Sequence, residues 1–418
     1  MQSDSEVCAD GSIVIFETIS PHLPGPPPPL TITAVECYAL LAPDFDPGIT
    51  SSAQDSFLVV IRTDGDIFGV GECDANPWMA MACIEAPGTH TMGLSIRDLL
   101  IGADPFRIGE LWRTCYIGSA MNGRRGMVIH ALGAVEMALW DLCGKAVELP
   151  VHALLGGATR DAITPYASLL PGGDTFAAYR DALCASAWSA VELGFRAVKT
   201  EILINGPYAH AGMRESDERH TEVLAAVRET IGPDITLMVD VGYRWNDADT
   251  CLATIQDWAE FDCFFLETPV WSDNLDEIAR VAAQAPMPIA YGEWLATRFE
   301  FAELMETGVQ IIQPDVGRVG GIGEAKIVCD MAHAGGLTVV PHCWKTGVSI
   351  SATAHLAFVA ANCAFIEYLP PQLCHERLRR ELAHEELELR SDGTIPLPRK
   401  PGLGVELDWD TVHRYRVA

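Results

Sequence analysis

The chain has 418 residues, with 28 Lys+Arg against 57 Asp+Glu and a formal net charge of −29. At roughly 150 residues per domain this length means two or three domains, or one barrel plus a smaller partner. A composition of 49% hydrophobic and 20% charged residues can bury a large core and excludes a disordered chain. The acidic balance argues against nucleic acid or an anionic membrane as partner, since both need a basic footprint; a small anionic substrate, which feels only its local site, stays open.

The 13 cysteines are odd in number and scattered, with no CxxC or Cys/His zinc spacing, which predicts reduced thiols in a cytoplasmic protein. The acidic, polar start does not read as a signal peptide. The longest apolar stretch, 351–365, is interrupted by His355 and Asn362, so no transmembrane span is expected.

Residues 1–30 close on Pro24-Gly25-Pro26-Pro27-Pro28-Pro29 and read as an N-terminal extension. Residues 32–42 are strand-like, and 57–63 and 67–72 flank Asp64-Gly65, a hairpin signal. The intervening loop 43–54, rich in Asp, Gly and Ser, is a candidate mobile functional loop. Helices are predicted over 107–116 and 127–146, the latter from Ile129, Leu132, Val135, Met137, Leu139 and Leu142. After about Ile163 short apolar strands (195–200, 235–240, 263–267, 288–292, 310–315, 337–341 and 364–367) alternate with helical segments such as 216–230, 275–284, 301–307 and 323–335. Repeating strand–helix units mean a parallel sheet, and seven or eight of them an α/β barrel of the TIM type.

Such barrels carry their chemistry at the C-terminal strand ends. Here those ends hold Lys199 and Glu201, then Asp240, Glu267, Glu293, Asp315, His342 and Glu367. Asp240, Glu267 and Glu293 recur once per unit; three converging anions repel and would be driven toward protonation. A hard divalent cation resolves the conflict, and an all-carboxylate set suits Mg²⁺ with positions left for substrate oxygens. Any one of these acids alone reads equally well as a helix cap or solvated loop charge. Asp315 and His342 can set a carboxylate behind an imidazole, fixing its tautomer and raising its basicity. Lys199 and Glu201, two apart on a strand, point the same way. Lys199 is a base or a carboxylate clamp, with a pKa lowered by the metal, or the two form a Lys–Glu plug of the barrel top. Lys345, Arg318, Tyr208 and His210 sit on loops at the mouth as candidate substrate contacts, or as solvated surface; Trp245 and Trp344 read as packing residues.

The stretch Ala134-Val135-Glu136-Met137-Ala138-Leu139-Trp140-Asp141-Leu142-Cys143-Gly144-Lys145, with Leu149-Pro150, Leu154-Leu155-Gly156-Gly157, Gln313-Pro314-Asp315, Gly320-Gly321, Pro341-His342, Ile366-Glu367-Tyr368 and Pro401-Gly402-Leu403-Gly404, resembles the mandelate racemase branch of the enolase superfamily. The likeness runs from about residue 31 to the end. It implies a modified (β/α)7β barrel over 151–372. An α+β cap is built from 31–150 and completed by 373–418, with loops near 43–54 and 75–81 closing over substrate. It implies one Mg²⁺ per subunit on Asp240, Glu267 and Glu293, a His342–Asp315 dyad, and Glu367 as the acid that donates a hydrogen bond to the substrate carboxylate. Dimer to octamer assembly is common among such proteins, so a homo-oligomer is expected. Two departures stand out: Lys199-Thr200-Glu201 replaces Lys-x-Lys, and Gly242 follows Asp240 where Asn is frequent. Racemisation needs an acid/base on each face, whereas dehydration needs one imidazole, so the expected reaction is dehydration of an acid sugar to a 2-keto-3-deoxy acid. An isomerase using Lys199 or Glu201 on the second face, and a non-catalytic sugar-acid binder, remain open.

Overall fold

The computed structural model describes residues 18–170, 172–385 and 387–418. Of the expected N-terminal extension, residues 1–17 lie outside the described residues; 18–30 run without regular secondary structure, tied down by His22 N–H donating to Leu154 O at 2.8 Å.

β1 (Ile32–Leu41), β2 (Asp55–Thr63) and β3 (Phe68–Cys73) form an antiparallel meander, as the alternation and the Asp64-Gly65 turn predict. The helix Met127–Ala146 crosses β3 so closely that side chains are excluded there. A Cβ on Gly69 would lie 2.0 Å from Ala138 O, and one on Gly71 2.0 Å from Ala134 O. That helix is long and apolar enough to cross a membrane, but it is buried in the protein core.

After β4 (Ala162–Ile163), eight parallel strands follow: β5 (Pro165–Leu169), β6 (Ala197–Glu201), β7 (Thr236–Asp240), β8 (Cys263–Glu267), β9 (Ile289–Tyr291), β10 (Ile311–Ile312), β11 (Thr338–Val339) and β12 (Ile366–Tyr368). Their order is β11-β10-β9-β8-β7-β6-β5-β12, and the edges meet through a parallel bridge between Val339 and Cys363. Inside the ring sit Tyr166, Ala197, Met238, Phe265, Ala290, Ile311 and Val340. Seven strands match the predicted ones. β5 was not predicted: Pro165-Tyr166-Ala167-Ser168-Leu169 lacks an apolar run and owes its place to β6 and β12 on either side. The helices Phe176–Leu193 and Gly347–Val359 were also missed, the second because it is buried on every side and shows no period.

β13 (Ala383–His384) pairs with β15 (Glu406–Leu407), and β14 (Ile395–Pro396) with β4. The C-terminal segment then returns to the first sheet: Val417 N–H donates to Ala39 O at 2.8 Å. Three acids tie the parts together. Glu72 of β3 accepts from Ser56 Oγ (2.6 Å), Thr346 Oγ1 (2.8 Å) and Ser349 N (3.2 Å) at the start of Gly347–Val359. Asp141 accepts from Val70 N and Leu403 N, each at 2.9 Å. Glu136 accepts from Ile322 N (2.7 Å) and Gly323 N (2.8 Å) at the head of the helix Ile322–Ala334, and from Trp140 Nε1 (2.6 Å). Helix N-termini favour such anions.

Burial, offset by these donors, raises the Glu136 carboxyl to about 7. The folded chain therefore keeps a proton that the unfolded chain loses near 4.5, and the stability this group contributes declines as pH climbs through that interval. Glu136→Gln turns one acceptor into a donor facing N–H groups. It is expected to cost about 2 kcal/mol in denaturant unfolding, with the gap from the parent narrowing between pH 5 and about 7.

Candidate active site at the barrel mouth

A cavity of about 220 Å³ opens at the C-terminal ends of the strands. Its floor holds Lys199, Glu201, Asp240, Glu293 and His342; its walls hold Leu203, Tyr208, Gly242, Tyr243, Trp294, Arg318 and Trp344; residues 50–52 of the loop between β1 and β2 form its roof. The barrel register aligns the acids: Glu201 pairs with Asp240, and Asp240 with Glu267.

Lys199 is the cationic centre. Its Nζ lies 3.1 Å from both Glu267 oxygens, 2.8 Å from Glu367 Oε1 and 3.8 Å from Asp240 Oδ2. Burial pulls the ammonium down, but the carboxylates of Glu267 and Glu367 outweigh it and hold the pKa well above the ordinary lysine value. Among these carboxylates Lys199 is held as the charged ammonium. Glu267 is fully buried and also accepts from Gln313 Nε2 at 2.8 Å. Burial and the charges of Asp240 and Glu367 raise its carboxyl to about 8 despite Lys199. Burial likewise raises Asp240, which accepts from Thr268 Oγ1 (2.9 Å) and Gly242 N (2.8 Å).

Asp240, Glu267 and Glu293 stand at three adjacent strand ends and act on one another electrostatically. Among the described residues no three His, Cys, Asp or Glu groups close round a single point, since Glu267 gives both its oxygens to Lys199. The donor chemistry nevertheless fits a hard divalent cation. All three are carboxylates, Asp240 and Glu293 reach the cavity, and the raised carboxyls of Asp240 and Glu267 mark unbalanced negative charge that such an ion would relieve.

His342 Nδ1 is 2.6 Å from Asp315 Oδ2, while its Nε2 lies 3.4 Å from Glu293 Oε2 and 3.8 Å from Glu367 Oε2. Asp315 is itself steadied by Gly317 N–H at 2.7 Å. Burial lowers the imidazole pKa, but Glu367 and the Asp315 hydrogen bond win and raise it to about 9. His342 is thus a strengthened base whose outer nitrogen faces the cavity. Glu201 is pushed well above the usual carboxylate range by burial and then by the charge of Asp240.

Several expected site residues stand elsewhere. Glu367 does not line the cavity; it accepts from Ser168 Oγ (2.6 Å), Cys343 N (2.7 Å) and Lys199. Burial opposes its ionisation, yet Lys199 and His342 outweigh it and hold the carboxyl at about 2. His210 packs against Tyr179 outside the cavity lining, with burial lowering its pKa. Lys345 is buried away from the cavity; its Nζ donates to Ser52 O, to Asp55 Oδ1 (2.7 Å) and O (2.9 Å), and stands 3.3 Å from Asp74 Oδ1. Tyr208 and Arg318 do line the cavity; Arg318 pairs with Asp74 and, at 3.4 Å, with Glu293. Trp245 is a packing residue, but Trp344 forms part of the wall and donates to Ser51 Oγ at 3.1 Å.

The sequence reading missed Asp74, Gln313, Ser168, Tyr243 and Trp294. Gln313 was visible in Gln313-Pro314-Asp315; Asp74 follows a strand that belongs to the other sheet, and only the docking of cap on barrel brings it to Arg318 and Lys345. The loop 43–54 is latched as well: Thr50 Oγ1 donates to Tyr208 O (3.1 Å), Ser51 Oγ to Glu376 Oε1 (2.7 Å), and Ser52 Oγ to Asp74 Oδ2 (3.1 Å).

Comparison with known proteins agrees with this geometry. Residues 38–156 match the mandelate racemase/muconate lactonizing enzyme N-terminal domain, and 182–411 match the enolase C-terminal domain-like model. The chain belongs to the mandelate racemase/muconate lactonizing enzyme family of the enolase superfamily, whose enzymes generally use Mg²⁺. It is 32% identical over 369 residues to D-galactarolactone cycloisomerase of Agrobacterium fabrum, covering 86% of this chain and 91% of that one. It is also 32% identical over 360 residues to D-galactonate dehydratase of Klebsiella pneumoniae, covering 84% and 88%. Among solved structures, 3,6-anhydro-D-galactonate cycloisomerase from Zobellia galactanivorans superposes with a TM-score of 0.80 at 26% identity, covering 93% of this chain and 100% of that one.

Lys345→Met would remove the cation that Asp55 and Asp74 share, leaving Asp74 with Arg318 alone. A loss of about 3 kcal/mol in unfolding free energy is expected, with faster proteolysis in 43–54 as its local readout.

Proposed function

We propose that the protein removes the proton α to the carboxylate of an acid sugar and expels the oxygen on the β-carbon, most concretely dehydrating the acid to a 2-keto-3-deoxy acid with Mg²⁺ bound by Asp240, Glu267 and Glu293. The carrying observation is asymmetry among the candidate bases. His342 turns Nε2 to the cavity, backed by Asp315 and 3.4 Å from Glu293 Oε2, and serves as base in its neutral form, while Lys199 is an ammonium held by Glu267 and Glu367. When bound, Mg²⁺ supplies positive charge to the substrate carboxylate as that group gains charge in the transition state.

His342 Nε2 takes the α-proton; the C–H pair becomes the new double bond as the β-carbon–oxygen bond breaks, the imidazolium returns its proton to the departing oxygen, and the enol so formed gains a proton at the β-carbon as its hydroxyl loses one, giving the 2-keto acid. One imidazole serves both transfers, so no second base is needed. Asp315 holds the ring and stabilises its charged form. Lys199 adds positive charge at the cavity floor, and Glu201 lies there within reach of a substrate hydroxyl or the leaving oxygen, its carboxyl raised by burial. The names of the two 32%-identical relatives, a dehydratase and a cycloisomerase, support elimination of either a hydroxyl or a ring oxygen. The second outcome opens a ring and yields an isomer with no water lost, and the aromatic cavity wall favours it as the alternative.

His342→Asn is expected to lower turnover of any accepted acid sugar by at least about 10³-fold, while calorimetry still records Mg²⁺ binding. Parent-level activity in that variant overturns the reading. Incubation of the parent enzyme in D₂O with a panel of acid sugars is expected to give a keto acid or ring-opened isomer; α-deuterium exchange with inversion and no elimination points instead to an epimerase.

A further inference from the structure

Asp240 and Glu293, the two metal-candidate acids that reach the cavity, each have one carboxylate oxygen committed. Asp240 Oδ1 accepts from Thr268 Oγ1 at 2.9 Å and from Gly242 N at 2.8 Å, which leaves Oδ2 on the side of Lys199 Nζ, 3.8 Å away. Glu293 Oε1 accepts from the Tyr243 phenol at 2.7 Å, which leaves Oε2 on the side of Arg318 and His342, each at 3.4 Å.

Tyr243 links the segments past three strand ends. It stands three positions after Asp240 of β7, its N–H donates to Thr268 O just past β8 at 2.7 Å, and its phenol reaches Glu293 past β9. Its ring stacks on Trp294, the chain neighbour of Glu293, at 4.3 Å between centroids, with Trp271 at 5.3 Å on another side. The residue is 3% exposed, so the ring has no room to swing away. Among the described residues five non-glycine residues have a left-handed backbone, and two of them are Tyr243 (φ 60°) and Thr268 (φ 47°). Such conformations cost energy and persist where the surroundings fix them; here both set a hydroxyl donor on a carboxylate of this pair. A side chain at position 242 could not share the task, since a Cβ there would lie 2.5 Å from Leu203 Cδ2.

We infer that Tyr243 is a positioning residue of the metal centre: its phenol restricts Glu293 to offering one oxygen, as Thr268 restricts Asp240, and the pair thereby selects a small octahedral cation over a larger one. The inference rests on the assignment of Asp240, Glu267 and Glu293 to Mg²⁺ made above. Mg²⁺ demands near-octahedral geometry and keeps several waters, whereas Ca²⁺ takes more oxygens and accepts carboxylates that offer both. Freeing Glu293 Oε1 removes orientation that Mg²⁺ needs and adds an oxygen that Ca²⁺ can use.

The test is titration calorimetry of the EDTA-stripped full chain with MgCl₂ and with CaCl₂, on the parent and on Tyr243→Phe, which keeps the ring and loses the hydroxyl. The parent is expected to bind Mg²⁺ at least about ten-fold more tightly than Ca²⁺. Tyr243→Phe is expected to weaken Mg²⁺ binding by about 10- to 100-fold and Ca²⁺ binding by less than about three-fold. A merely structural role would weaken both ions alike. Unchanged Mg²⁺ affinity in Tyr243→Phe, or an equal loss for both ions, overturns the positioning role and leaves the metal assignment intact. A parent that binds Ca²⁺ as tightly as Mg²⁺ overturns it without any variant. A parent that binds neither ion overturns the metal assignment itself, and the inference with it. Should Tyr243→Phe not fold, Thr268→Val, which takes the hydroxyl from Asp240 Oδ1, decides the same question: a loss confined to Mg²⁺ supports the one-oxygen presentation, and unchanged or equally weakened binding overturns it.

Discussion

The structure turns on one buried ammonium among carboxylates. Lys199 is almost fully enclosed and touches Glu267 and Glu367, with Asp240 just beyond. Without it, β7, β8 and β12 would bring their acids to one low-dielectric place with nothing to balance them, and removing one partner of a buried pair typically costs about 3–5 kcal/mol. With it, the charge is divided unequally. Glu367 is held ionised near 2, while Glu267 remains raised to about 8 because burial and neighbouring charge exceed what a single cation offsets. That residual imbalance is the chain's physical argument for a divalent ion, and it lies at the edge of the cavity where a carboxylate substrate would also be drawn.

A second charge network holds the roof. Asp74, at the end of a cap strand, is ion-paired with Arg318 and Lys345, both on barrel loops. Burial opposes its ionisation, but those two cations prevail and hold its carboxyl well below the ordinary range. Arg318 also reaches Glu293, and Lys345 reaches the backbone of Ser52 and Asp55. The cap loop and the catalytic floor therefore share partners. Closure of the roof and placement of Glu293 are consequences of the same few ion pairs, which explains why a cap and a barrel distant in sequence act as one site.

Chemistry and recognition are separated across the cavity. The floor is ionic, with Lys199, His342, Glu201, Asp240 and Glu293, and the wall is aromatic, with Tyr243 tied to Glu293. The replacement of the second lysine by Glu201, and of a side chain at position 242 by glycine, fall on these two halves. One puts a carboxyl where a second lysine would stand, and the other lets Leu203 close the wall beside Asp240.

Sequence alone determined the barrel, because strand–helix units repeat with clear apolar strands, and it determined which residues stand at strand ends, because a strand's last residue is set by its register. His342 beside Asp315, and Lys199 among the acids, followed from that periodicity. Tertiary structure alone decided what each group meets. Lys345 turned from the mouth to the cap loop, His210 packed against Tyr179, and Glu367 became an acceptor rather than a donor. β5 and the wholly buried helix Gly347–Val359 escaped notice for a related reason: the first lacks an apolar run and the second has no polar face, so neither shows the contrast a periodic pattern requires. Pairings between residues more than 200 positions apart, such as Arg318 with Asp74, leave no mark on local sequence, since they depend on how two separately formed sheets dock.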